Sequence, residues 1–158
     1  MTLSKLSDDR MEMAEIMKAA VIIFCVLMAA ALWSPSAITM APQKPEELGQ
    51  QSAEKWLGLV DSGKYAESWD DASELFKNAI TKEQWQKTLK STLSPLGKLQ
   101  SRKLKSATFT KSLPGAPDGE YVVIQYDSSF ENKKSAVETL TPMRDKDGTW
   151  RVSGYFIR

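Results

Sequence analysis

The hydrophobic period of this chain changes at Ser94-Pro95 and Gly97, and that change fixes the order of its secondary structure. Before it, apolar residues recur at steps of three and four, which places them on one face of a helix. After it, apolar and polar residues alternate, as in strands with one buried face. The first stripe is Ala53, Trp56, Leu57 and Val60. Pro45, Glu46 and Glu47 suit a helix entrance, where the missing proline donor costs nothing and acidic side chains meet the positive end of the dipole. Gly63 is placed to end the helix, so the spacing predicts it over 45–62.

A second stripe of Tyr65, Trp69, Ala72, Phe76 and Ala79 or Ile80 predicts a helix over 64–80, with a break near Asp70-Asp71. Thr81-Lys82-Glu83-Gln84 matches a capping box, opening a third helix marked by Trp85, Leu89 and Leu93. The Ser94-Pro95 pair stops it. Strands follow over 99–113, 120–130, 135–144 and 149–157, separated by a Pro/Gly loop, an Asn132-Lys133 turn and an Asp147-Gly148 hairpin turn. Helices first and an antiparallel meander second define an α+β arrangement of helices on a four-stranded antiparallel sheet.

Strand alternation assigns faces. Val122, Ile124, Tyr126 and Phe130 share one face and Gln125, Asp127 and Ser129 the other, so Asp127 is expected to point away from the core. In the last strand Trp150, Val152, Gly154 and Phe156 are expected on one face, with Arg151 and Tyr155 opposite. Pro142 cannot donate to a ladder and predicts a bulge or an edge near the end of the third strand.

The N-terminal region reads differently. An unbroken apolar run, Ala19 to Trp33, follows Met17-Lys18 and leads into small residues from Ser34 to Ala41. These are the parts of an export signal. Met1 to Ile16 carries Asp8, Asp9, Glu12 and Glu15 against Lys5 and Arg10, so the expected translation start is Met17, with Met11 and Met13 as alternatives. A spanning helix needs roughly 20 apolar residues, and this run is shorter, stopped by Ser34-Pro35. The expected organisation is an extension and export signal over 1–41, a linker and helix start over 42–51, and a single domain over 52–158. The expected location is periplasmic, with anchoring to the inner membrane by residues 19–33 as the alternative and as the only membrane contact.

Composition excludes several chemistries. The chain has no histidine and one cysteine, Cys25, inside the apolar run. The usual zinc and copper ligand sets and Ser-His-Asp or Cys-His nucleophiles therefore cannot form in the domain. No Gly-rich phosphate loop is present, and neither a metal nor a cofactor is expected. A net charge of +1 gives no strong field toward nucleic acid. Lys98, Arg102, Lys103, Lys105 and Lys111 read as a solvated strand face.

An ordered set of short motifs carries a resemblance. Trp56-Leu57, Asp61-Ser62-Gly63-Lys64-Tyr65, Ser68-Trp69, Pro95-Leu96-Gly97 before Ser101-Arg102, the segment Leu113 to Gly119, and the segment Asp147 to Tyr155 together resemble the bacterial family called domain of unknown function 4019. The resemblance spans about Ser52 to Arg158. That family is similar to the cone-shaped nuclear transport factor 2-like superfamily, which implies a curved sheet wrapped on helices, with an apolar cavity between them in some members.

The resemblance frames three expectations. The first is a noncatalytic accessory or binding module for a small apolar ligand or an envelope protein, with Tyr65, Trp69, Tyr126 and Trp150 offering aromatic walls with polar tips. Arg102 is the charged residue placed to hold an anion or to pair with a strand acid such as Glu138. The second is an acid/base enzyme of isomerase or dehydratase type, which needs an enclosed carboxylate with a raised pKa. Asp70, Asp71, Glu74, Asp127 and Glu138 are the acids near apolar stretches, and each is expected to be solvated. The third is an assembly role, including a homodimer through a sheet face bearing Tyr121, Val123, Gln125, Arg151 and Tyr155.

Overall fold

The computed structural model describes residues 43–158. The apolar run, Cys25 and the expected start at Met17 lie outside the described residues. Helix α1 spans Pro45–Asp61, with proline at its start and Glu46 and Glu47 in its first turn. It ends in a Schellman motif: Lys64 N donates to Leu59 O at 2.9 Å and Gly63 N to Val60 O at 3.0 Å, with Gly63 at φ +72°. Only glycine adopts that backbone without steric cost.

The expected second helix is two short ones, α2 Tyr65–Asp70 and α3 Glu74–Ala79. The break falls at Asp71 to Ser73, beside the predicted position. Ser73 causes it twice over: its hydroxyl accepts from Phe76 N, capping α3, and its amide donates to Val152 O at 3.0 Å. Helix α4 spans Lys82–Leu93 and begins with the predicted capping box, Gln84 N donating to Thr81 Oγ1 and Thr81 N to Gln84 Oε1. A 3-10 turn over Ser94–Leu96 leads into the sheet.

Strands β1 Leu99–Thr110, β2 Tyr121–Phe130, β3 Ala136–Arg144 and β4 Trp150–Ile157 form an antiparallel meander in the order β1-β2-β3-β4. The helices cover one face. Ala53, Trp56, Leu57 and Val60 of α1 meet Val122, Ile124, Tyr126, Leu140 and Val152, with Phe76, Trp85 and Leu89 closing the side. The arrangement is the α+β fold that the change of period predicts. Among the described residues, no helix is long and apolar enough to cross a membrane.

The face assignment in β4 needs correction. Leu140 pairs with Tyr155 but Pro142 pairs with Val152, so Ser153 and Gly154 together oppose Thr141. A bulge inserts one residue and reverses the faces beyond it. Tyr155 therefore joins the core side, and Phe156 points outward, 66% exposed. Pro142 marks the place, as expected, but it lies in an interior strand and the extra residue is on its partner. Tyr121 also leaves the expected open face: it is fully buried, its hydroxyl donating to Pro117 O at 2.7 Å.

Helix α1 approaches the sheet closely at Gly49, where a β-carbon would lie 2.7 Å from the Val122 side chain. Gly49→Ala is expected to push the helix off the sheet and destabilise the domain by about 1–3 kcal/mol, read as a lower urea midpoint with an unchanged m-value. A variant as stable as the parent would show that the helix start gives way freely.

Candidate functional site

One cluster brings together a residue from each strand and from α1. Arg102 of β1 and Ser128 of β2 are register partners on the core side. Glu138 of β3 alternates with Ala136 and Leu140 and is fully buried. Tyr155 reaches the cluster because of the β4 bulge. Arg102 Nε donates to Glu138 Oε2 at 2.6 Å and Nη2 to Oε1 at 2.9 Å. The Tyr155 hydroxyl donates to Oε1 at 2.6 Å, and the Ser128 hydroxyl donates to Oε2. On its outer side the guanidinium donates to Asp61 at the end of α1, at 2.7 and 3.1 Å.

The electrostatics follow from this geometry. Burial opposes the charge of Glu138, but hydrogen bonds from Arg102, Ser128 and Tyr155 outweigh it and hold the carboxyl below its ordinary range. Burial alone would lower the Arg102 pKa; hydrogen bonds to Asp61 and Glu138 raise it instead. Burial and the adjacent Glu138 charge push the Tyr155 phenol up. Glu138 is thus a fixed anion, not the solvated acid expected from sequence. Its enclosure is possible because four donors replace water. The pairing of Arg102 with Glu138 is the structural bridge that strand position suggested.

The remaining sequence candidates do not converge. Tyr65 packs at the edge of the core. Trp69 is half-buried, its indole donating to Ile80 O at 2.8 Å, with Lys77 and Lys82 ammonium groups 5.9 and 5.1 Å from its ring. It ties α2 to the end of α3 and offers no free polar tip. Trp150 is half-buried beside a shallow groove shared with Leu48, Ser52 and Lys55, and its carbonyl accepts from Ser52 Oγ at 2.8 Å. Asp127 points outward and meets Lys105 at 3.0 Å.

Tyr126 is 3% exposed and its hydroxyl has no hydrogen-bond partner. Burial and the charge of Glu54 push that phenol up to about 12. Removing an unsatisfied hydroxyl removes its desolvation cost. Tyr126→Phe is therefore expected to leave stability unchanged or raise it by up to about 1 kcal/mol, measured by urea unfolding. A loss of that size would reveal a hydrogen bond at this position.

An open cleft of about 900 Å³ lies at the other end of the sheet, between α2–α3 and the loops at Pro117 and Asp145, with Tyr121, Leu75 and Met143 among its lining. Several of its charges are already paired: Arg151 with Asp145 at 3.0 Å and Asp147 at 2.8 Å, and Arg144 with Glu120, outside the cleft lining, at 3.1 Å. Hydrogen bonds from Arg151 and Thr149 hold Asp147 well below the usual carboxylate range. Among the described residues, no group of three or more carboxylates is placed to hold a metal ion.

The fold and the cluster together define a small α+β open-sheet domain whose one fully buried carboxylate is saturated by donors. The chain belongs to the family described as Protein of unknown function (DUF4019), whose model matches residues 52–155. That span runs from α1 to Tyr155, so it includes every member of the buried cluster. No curated protein matches the chain.

Proposed function

We propose that this protein is an exported, noncatalytic accessory domain of the cell envelope that works by surface contact with a protein partner. The observation that carries this reading is the state of Glu138. An acid/base enzyme of isomerase or dehydratase type needs a carboxylate free to take a proton. Here both oxygens already accept two hydrogen bonds each. Neither the 900 Å³ cleft nor the groove at Trp150 reaches it.

The surface best suited to contact is the outer sheet face, where Phe156 is 66% exposed beside Thr139 and Gln125. Aromatic anchors surrounded by polar groups are typical of modest interfaces. A second copy of the chain is one partner this face would suit, and the resemblance to cone-shaped domains supports pairing of that kind. The apolar run over 19–33 and the small residues after it support export.

Light scattering at several concentrations, on the parent and on Phe156→Glu, tests the proposal alongside titration with an apolar fluorescent dye. The expected result is association that the substitution abolishes, without saturable dye binding. A concentration-independent monomer with saturable dye uptake would replace this reading with an interior ligand site.

A further inference from the structure

Glu138 is surrounded by donors, and this has a chemical consequence when it takes a proton. A carboxylate accepts all four hydrogen bonds from its three neighbours, whereas a protonated carboxyl brings a donor of its own, which a guanidinium cannot accept. Ser128 and Tyr155 can rotate their hydroxyls to accept, whereas Arg102 is left facing a neutral carboxyl and loses the charge-assisted part of its hydrogen bonds. It has somewhere to go, because Asp61 already holds its outer edge and is itself one-third exposed at the side chain.

Arg102 also sits between two irregularities of an edge strand. β1 is an edge strand with register shifts between Leu99 and Ser101 and between Leu104 and Ser106. The stretch between those bulges is mostly exposed, with Leu104 at 46%. Arg102 is its inward anchor, 14% exposed at the side chain. The contacts of Trp85 with Trp56 and Phe76 are made among the helices, and Trp56 meets the cluster only through the edge of Tyr155.

We propose that Glu138 is a proton-operated latch on the edge strand: its protonation frees Arg102, and residues 101–104 separate from β2 while the aromatic core stays folded. The product is an uncovered β2 edge, a row of unpaired backbone groups able to accept another strand. The groups facing Glu138 are Arg102 and Asp61 behind it, Ser128 and Tyr126 on β2, and Tyr155 on β4; Glu54 of α1 acts on Tyr126. Arg102 is the one cation among them.

The sign of the pH dependence follows. A carboxyl held below its ordinary range in the folded state stabilises that state above the unfolded pKa, and the contribution is lost as pH falls through the folded value. The latch is closed at neutral pH and opens in acid, below the ordinary carboxylate range.

Hydrogen exchange of the full chain, read by mass spectrometry as protection factors from neutral pH to pH 3, tests the latch. Peptides across 99–106 are expected to lose protection by about tenfold or more in acid, while those across β3 and α1 keep theirs. Glu138→Gln is expected to leave 99–106 unprotected already at neutral pH and to abolish the acid step. Simultaneous loss in β1, β3 and α1, or no loss in β1, would overturn the proposal from the parent protein alone. Should the variant fold with β1 fully protected at neutral pH, that too would overturn it.

Discussion

Arg102→Ala is expected to cost the domain about 3–5 kcal/mol. The arginine is the cation facing a fully buried carboxylate, and its removal leaves Glu138 with two hydroxyl donors and no countercharge. Such an isolated charge is far more costly than the loss of an exposed pair. Urea unfolding followed by tryptophan fluorescence measures the effect. The double variant Arg102→Met with Glu138→Leu is expected to recover most of the loss, since replacing both members of a buried pair by apolar groups is often neutral. A single-variant loss under about 1 kcal/mol would place the pair in the exposed class.

Trp56→Ala is expected to be comparably severe, at about 3–5 kcal/mol. The ring is 1% exposed, tilted against Trp85 at a centroid distance of 5.8 Å and edge-on to Tyr155 at 5.4 Å. Its indole nitrogen also donates to Ser68 O at 2.7 Å, so truncation opens a large void and strands a buried carbonyl. Ser68 is fully buried, and its hydroxyl accepts from Trp85 Nε1 at 3.0 Å, linking the two tryptophans. Trp56→Phe keeps much of the volume and loses the hydrogen bond, so it is expected to fall between the parent and the alanine variant. Equal stability of Trp56→Ala and the parent would mean that the helices collapse into the space.

Local signals made most of the fold legible. The stripe Ala53, Trp56, Leu57 and Val60 is buried as its spacing requires, Gly63 ends α1, and Thr81 with Gln84 opens α4. Asp127 faces outward because alternation in β2 is unbroken. The same rule failed in β4, where the pairing of Ser153 and Gly154 against Thr141 is a property of two strands together and leaves no mark in one strand's alternation. Glycine at position 154 was the available hint, since glycine in a strand interior often accompanies a bulge.

The buried cluster was half legible. Arg102 and Glu138 were recognisable as a cross-strand pair, while the position of Glu138 two residues from both Ala136 and Leu140 was a signal of the core face that went unused, since acids were expected in solvent. Its burial ran against the general exposure of acids, because the rule is overturned only by donors from other elements. Ser128 and Tyr155 supply them, and the sequence alone placed Tyr155 on the wrong side. Trp69 and Trp150 resembled pocket walls because partly buried aromatics with polar tips have the same spacing whether they line a void or close one.

The β4 bulge gives a comparative rule for the family. The parity of the strand after position 153 decides which of two adjacent aromatics, Tyr155 or Phe156, is delivered to the carboxylate. A relative with one residue fewer in that stretch must carry its phenol on the other parity, or lose it from the cluster. Insertions and deletions at this single point should therefore track the presence of the Glu138 and Arg102 pair more closely than substitutions anywhere else along β4.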